Sequence, residues 1–384
     1  MANKLPLAWL QLTREKPRLF VALSGIAFSN ILMFMQLGFK GALYDSNARF
    51  HSSLKGDLVM IHSGSKSLAS LRQFSDRRLY QILHFSEVRS VSPLYVSYTS
   101  WKNPENGDYR DILVYGFNPD KPVFNISEIN ANLDKIRWNR NILFDRDSRS
   151  EYGNIATLFK EKKKLTTEVQ QYRVNIVGLF SLGSSFAADG NIVTSDLNFI
   201  RIVKNRPLGH IDIGLITLAP GISLEEFLPR ARASLPNDVK LFTHQEFIEF
   251  EKEYWRNSTA IGFIFALGTA MSFIVGIVIV YQILYTDVSD HLAEYATLKA
   301  IGYKTSYLLG VVFQEALILA ILGYLPGLGI SLGIYQLARN ATTLPMIMQL
   351  GRALFILVLT IIMCSISGAI AVRKLQQADP AEIF

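Results

Sequence analysis

The chain has 384 residues, room for two or three folding units, with 49% apolar residues, 18% charged residues and a formal net charge of +7. A single cysteine, Cys364, excludes an intrachain disulfide and with it a cysteine-stapled secreted domain, and six scattered histidines form no metal-ligand cluster with each other or with that thiol. The averages hide a division: one end of the chain is membrane-like and the middle is not.

Residues 1–18 form a basic leading segment, predicted to be amphipathic and cytoplasmic, in which Lys4, Arg14, Lys16 and Arg18 outweigh one acid, Glu15. The apolar run that follows has no clean small-residue cleavage site. It predicts an uncleaved transmembrane helix over 19–41, including the start of a stalk, and not a signal peptide. Residues 42–243 are predicted to form an external α+β domain. Strands are predicted in "GDLVMIHSG", "VRSVSPLYVSYTSW", "RDILVYGFNP" and "QYRVNIVGLFSLG", and a helix in "SDRRLYQILHF". "GNIVTSDLNFIRIV" reads as a strand and a turn. "HIDIGLITLAPG", "SLEEFLPRARASL" and "DVKLFTH" make a β-α-β unit, with Ser223 capping its helix and Glu226 at the third helical position. The polar stretch 150–168 suggests an inserted subdomain.

Phe247, Phe250 and Tyr254 recur at helical spacing, which predicts a stalk helix over 244–258 running straight into a second span at 259–284. Residues 285–306 hold "SDHLAEYATLKAIGY", charged and helical in pattern, with a Gly-Tyr stop. A third span is predicted over 307–338, kinked near Pro326, where a backbone donor is missing. An external turn over 339–352, a fourth span over 353–372 and a cytoplasmic tail over 373–384 complete the chain. Arg373 and Lys374 agree with a basic-inside orientation, while Arg339 and Arg352 beside the external turn oppose it. The expected architecture is therefore four transmembrane helices with a large α+β domain between the first and the second.

Catalytic signatures are missing from the sequence. No Gly-x-x-x-x-Gly-Lys-Ser/Thr loop occurs, and "GLFSLGSSF" at 178–186 lacks the lysine. There is no His-Glu-x-x-His helix, and "SLGSS" is not a nucleophile elbow. Asp145, Asp147 and Asp189 read as solvated turn acids, and "KEKKK" at 160–164 as a solvated face with no nucleic-acid role. Glu315 stands apart, as an acid inside an apolar segment is costly unless paired or hydrated. The central parts of the other spans offer no acid or base, only Asn30 and Gln36 in the first. That argues against a proton relay and for a bundle-orienting or gate residue.

Three features resemble the FtsX-like, MacB-like permease family: Glu294 followed by Leu298-Lys299-Ala300-Ile301-Gly302, then Glu315-Ala316-Leu317 at the start of the third span, and Asp379-Pro380-Ala381-Glu382 in the tail. The overall wording is most similar to the cyanobacterial DevC-type permeases. The resemblance implies a homodimeric, MacB-like (type VII ABC) permease of the inner membrane with a periplasmic outer domain, itself without cofactor or catalytic site. It implies as partners an ABC ATPase subunit that binds ATP and Mg, a periplasmic adaptor (membrane fusion protein) and an outer-membrane channel of TolC type, with an envelope glycolipid or other lipid-like cargo. It assigns 287–303 as a cytoplasmic coupling helix for the ATPase, through Asp287, Asp290, His291, Glu294, Tyr295, Leu298, Lys299 and Gly302. Asp287, Asp290 and Glu294 recur at about one-turn spacing and can share a face, and Gly302 can stop the helix with a positive φ. Where the family often has Arg-x-x-Glu-Ile-Gly, this chain has His291 at the basic position and Tyr295-Ala296 for Ile-Gly, which bears on the identity of the ATPase. Two other readings share the architecture: a lipoprotein-releasing permease, and an FtsX-like signalling protein that activates a cell-wall hydrolase.

Overall fold

The computed structural model describes residues 9, 14, 16–162, 165–204, 206–294, 297, 301–303 and 305–377. The chain divides into two compact units. One comprises Met1–Gly41, Ala260–Asn340 and Met346–Phe384, and the other Ala42–Thr259 and Ala341–Pro345. The longer helices are α1 (Lys16–Ser53), α2 (Leu224–Ser234), α3 (His244–Glu253), α4 (Ala260–Asp290), α5 (Thr305–Thr342) and α6 (Leu350–Gln377).

Within the first unit, α1, α4, α5 and α6 are long and apolar enough to cross a membrane. The chain is a multi-pass membrane protein with a large domain between its first two spans. The bundle core joins Ala22 and Ile26 of α1, Val280 and Leu284 of α4, Ala316 and Leu319 of α5, and Met363 and Cys364 of α6. Lipid gives apolar side chains little reason to prefer a protein neighbour, so close approach and buried hydrogen bonds hold such a bundle. Both occur. A Cβ on Gly276 would run into Met363 Sδ and Ser29 Oγ. Ser29 Oγ donates to the Ser272 carbonyl (2.7 Å), and Thr360 Oγ1 to Asn30 Oδ1 (2.7 Å). Gly329 and Gly333 face open space. Pro326 lies inside α5, which continues as one helix on both sides of it.

The second unit is built on a nine-stranded mixed sheet. Its strands are β1 (Leu58–His62), β3 (Val88–Lys102), β4 (Tyr109–Phe117), β5 (Asn141–Asp145), β6 (Leu165–Val169), β7 (Tyr172–Phe180), β8 (Asn191–Ser195), β10 (Ile213–Leu218) and β11 (Val239–Thr243); β2 (Phe74–Ser75) and β9 (His210–Ile211) pair separately. The order is β11-β1-β10-β3-β4-β8-β5-β7-β6. β4 with β8 and β5 with β7 are parallel, and the other neighbours are antiparallel. β6 also meets β3 at Val169 and Trp101, so six strands close on themselves. β10, α2 and β11 form the expected β-α-β unit, with β10 and β11 flanking β1. Three apolar clusters fill the unit, one of them gathering Phe50 of α1, Phe247 of α3 and Phe117, Phe124 and Phe180.

Several local expectations need correction. Ser223 sits at the N-cap of α2 but makes no side-chain cap bond. The capping box belongs to α3 instead, where Thr243 Oγ1 accepts from Glu246 N and the Glu246 carboxylate accepts from Thr243 N. β8 leads into a helix, Asp196–Ile202, and not a turn, because Ser195 caps it by accepting from Asn198 N. Residues 150–168 are no separate subdomain, since the helix Ile155–Lys162 is followed by β6, a strand of the same sheet; Lys163 and Lys164 lie outside the described residues. The stalk helix does not run straight into the second span. α3 ends at Glu253, a π-helical turn covers Tyr254–Ser258, and Thr259 is extended (φ −118°, ψ 147°) before α4 begins. α1, by contrast, is unbroken over 38 residues, about 57 Å at 1.5 Å per residue.

Candidate functional site

The charged groups expected between the second and third spans gather at one end of the bundle. α4 outlasts its apolar run and ends at Asp290, not 284. Leu284, Asp287 and Val288, at three- and four-residue steps, are buried on one side of it, and His291 is buried one turn after Asp287. His291 Nδ1 donates to the Asp287 carbonyl (3.0 Å) and lies 3.8 Å from Asp287 Oδ1. Asp290 and Glu294 are exposed.

Asp287 is buried, where a carboxylate demands a partner. Arg18, in the first turn of α1, supplies one. Its Nη1 lies 3.8 Å from Asp287 Oδ1, and its Nη2 donates to Asp290 Oδ2. One guanidinium thus bridges a buried acid and an exposed one.

Glu315, in α5, is 0% exposed and lies beside Asp287. Neither of its carboxylate oxygens makes a hydrogen bond among the described residues. In the sequence no acid falls within the other spans for Glu315 to meet, because the apolar run of the second ends before Asp287. Gly302 has φ +103°, the left-handed region that suits glycine at the end of a helical stretch. Tyr295, Leu298 and Lys299 lie outside the described residues, as do Ala296 and Ala300. Among the described residues the assembly has no nucleophile and no array of donors for a phosphate. Its chemistry is electrostatic: Asp287 meets Arg18 and His291, Asp290 meets Arg18, and Glu315 lies beside Asp287. Arg18 was legible in sequence only as a topology signal, because 272 positions separate it from Asp290.

The outer unit holds other buried charges. Glu251 and His51 are both 0% exposed, 3.4 Å apart. Glu251 also accepts from Leu68 N (2.8 Å) and Trp255 Nε1 (2.8 Å). Asp145, expected as a solvated turn acid, is fully buried and accepts from Gly183 N (2.8 Å), Leu182 N (3.1 Å), Asp147 N (3.1 Å) and Asn191 Nδ2 (2.9 Å). Asp189 fits its expectation better, pairing with Arg149 at 3.0 Å near the surface. Asp212 pairs with Arg206 (2.6 Å), whose guanidinium lies over Tyr95 and Phe199. Burial pushes both the Asp145 and Asp212 carboxyls above the ordinary carboxylate range. Among the described residues no three His, Cys, Asp or Glu side chains are placed to hold a metal ion.

Residues 261–380 match the family described as FtsX-like permease C-terminal. Asp287, Asp290, His291, Glu294, Gly302, Glu315 and Pro326 all fall inside the matched residues, and Arg18 falls outside them. No curated protein matches the chain. Two solved structures are similar to parts of it. The periplasmic region of MacB from Actinobacillus actinomycetemcomitans is 11% identical, with a TM-score of 0.35, covering 53% of this chain and 93% of that one. The extracellular domain of the noncanonic ABC-type transporter YknZ from Gram-positive bacteria is 10% identical, with a TM-score of 0.32, covering 49% of this chain and 100% of that one.

Proposed function

We propose that this chain is the non-catalytic permease subunit of an ABC exporter, moved by a separate ATPase that binds ATP and Mg and docks on residues 287–303. The FtsX-like match over 261–380, which contains that segment, carries the reading. The exposed carboxylates Asp290 and Glu294 give the segment polar contacts for a partner, and Gly302 ends it. The reading extends to a homodimer, a periplasmic adaptor, an outer-membrane channel of TolC type and a lipid-like cargo such as an envelope glycolipid, as in the DevC-type permeases that the sequence resembles. Hydrolysis in the partner would move the outer domain and leave the bundle without a cargo path.

Purification of the chain from its native membrane tests this. An ATPase and an adaptor that co-purify support it, whereas ATP hydrolysis by the isolated chain refutes it. Glu294→Lys is expected to weaken ATPase docking and to leave the chain inserted. Unchanged assembly and unchanged stimulated hydrolysis would remove Glu294 from the interface.

A further inference from the structure

His51 and Glu251 face each other inside the outer unit, both without solvent contact. His51 lies in the last turn of α1 and Glu251 near the end of α3. The neighbours of the pair fix how many protons it holds. His51 Nδ1 lies 3.1 Å from the Asn47 carbonyl, which can only accept. His51 Nε2 lies 3.4 Å from Glu251 Oε2. A neutral ring with its proton on Nδ1 would turn the bare Nε2 lone pair toward a carboxylate oxygen. The other neutral tautomer would turn bare Nδ1 toward the Asn47 oxygen. A ring that carries both protons suits both neighbours.

Glu251 points to the same state. Its Oε2 accepts from Leu68 N and its Oε1 from Trp255 Nε1, and N–H donors favour the ionised carboxylate. Among the described residues, His51 is the one basic side chain within ion-pair distance of it. A carboxylate buried without a counter-charge is costly. The other titratable groups near the pair do not replace His51. Tyr98 of β3 and Tyr115 of β4 feel the charge of Glu251, and burial pushes both phenols up, so they stay neutral. His244, at the start of α3, faces the His51 carbonyl through Nε2 at 2.9 Å and the Gly56 carbonyl through Nδ1 at 3.3 Å. As the neutral tautomer with its proton on Nε2, it keeps the shorter of these two bonds and supplies no charge to Glu251.

We propose that His51 is held as an imidazolium, and that its ion pair with Glu251 is a proton-dependent clasp between α1 and α3 inside the outer unit, closed while the proton is bound and released as pH rises. The sign follows from which state keeps the proton. An opened unit exposes a free imidazole, which is neutral above about pH 6.5. The closed unit then binds one more proton than the open one, and its stability falls as pH rises. The full chain in lipid nanodiscs, labelled with nitrogen-15 histidine, tests this by magnetic resonance. At about pH 7.5, where free imidazole is mostly neutral, the native chain is expected to show a ring with both nitrogens protonated that is missing from His51→Gln. Glu251→Gln, which removes the charge and keeps the size, is expected to return His51 to a neutral ring at the same pH. Hydrogen exchange over residues 67–71, where Leu68 N is tied to Glu251, reads the release. Between about pH 7 and about pH 9.5 protection there is expected to fall at least twofold beyond the intrinsic rate in the native chain, and to stay level in Glu251→Gln. A neutral His51 ring in the native chain at the lower pH overturns the proposal. So does level protection in the native chain, or a fall that persists in Glu251→Gln.

Discussion

Glu251 is a buried carboxylate whose oxygens are occupied on both sides: Oε1 accepts from Trp255 Nε1, and Oε2 accepts from Leu68 N and faces His51 Nε2. Glu251→Ala would orphan two buried donors and strand His51. At about 1–3 kcal/mol for each unsatisfied group, the outer unit is expected to lose roughly 3 kcal/mol, read as a lower denaturation midpoint. Glu251→Gln is expected to cost less, because its amide oxygen still serves one donor. Asp145 gives a prediction in pH. Burial raises its carboxyl above the ordinary value of 3.8, although four donors oppose the shift. A folded pKa above the unfolded one means that the unfolded chain ionises first as pH rises. The contribution to stability is therefore complete below the unfolded pKa and is lost as pH rises through the folded one. Asp145→Asn removes this titration. The melting temperature of the variant is expected to depend less on pH just above 3.8 than that of the native chain, at the cost of setting an amide N–H against one of the four donors.

At the scale of elements, helix contacts decide which glycines matter. Gly276 of α4 is buried, with Ser29 of α1 and Met363 of α6 where its Cβ would be, whereas Gly329 of α5 faces open space. Gly276→Val is expected to destabilise the bundle by about 1–3 kcal/mol through overpacking, and Gly329→Ala to change little; unfolding midpoints in mild detergent separate the two. The sequence could not rank these glycines, because spacing along one helix says nothing about the neighbouring helix. The spans themselves were legible, since an uninterrupted run of roughly 20 apolar residues matches the length that a bilayer demands of a helix, and strands such as β3 and β7 were betrayed by alternation. The misread elements share a cause. α4 continues through 285–290 on polar residues, β6 is a polar strand, "LTTEV", placed by its pairing with β7, and Asp196–Ile202 is too short for periodicity to register. The Arg18 bridge was invisible for a different reason. It is a long-range pair, and nothing local in "REKPRLF" marks which distant acid it meets.

For the whole molecule, the question is where the outer unit begins and ends. The predicted domain limits, 42–243, leave out α3, but the packing includes both α3 and the last turns of α1. Phe50, Leu54 and Phe247 lie in the same buried cluster as Phe117 of β4 and Phe124 beyond it, and Phe242 and Phe250 pack against it. His51 and Glu251 face one another across the same two helices, and His244 lies 2.9 Å from the His51 carbonyl and 3.3 Å from that of Gly56. A fragment of residues 42–259 retains all of this and is expected to fold alone as a soluble α+β domain with a cooperative melt. A fragment of 57–243 keeps all nine strands of the sheet but loses Phe50, Leu54 and Phe247. At about 1.5–3 kcal/mol for each large apolar side chain removed from the core, the deficit is roughly 5–9 kcal/mol, comparable to the whole stability of an ordinary domain. The shorter fragment is thus expected to be unfolded or only partly ordered by circular dichroism, even though its sheet is complete. Equal melting temperatures for the two fragments would show that the helix ends are passengers on the outer domain and not part of its core.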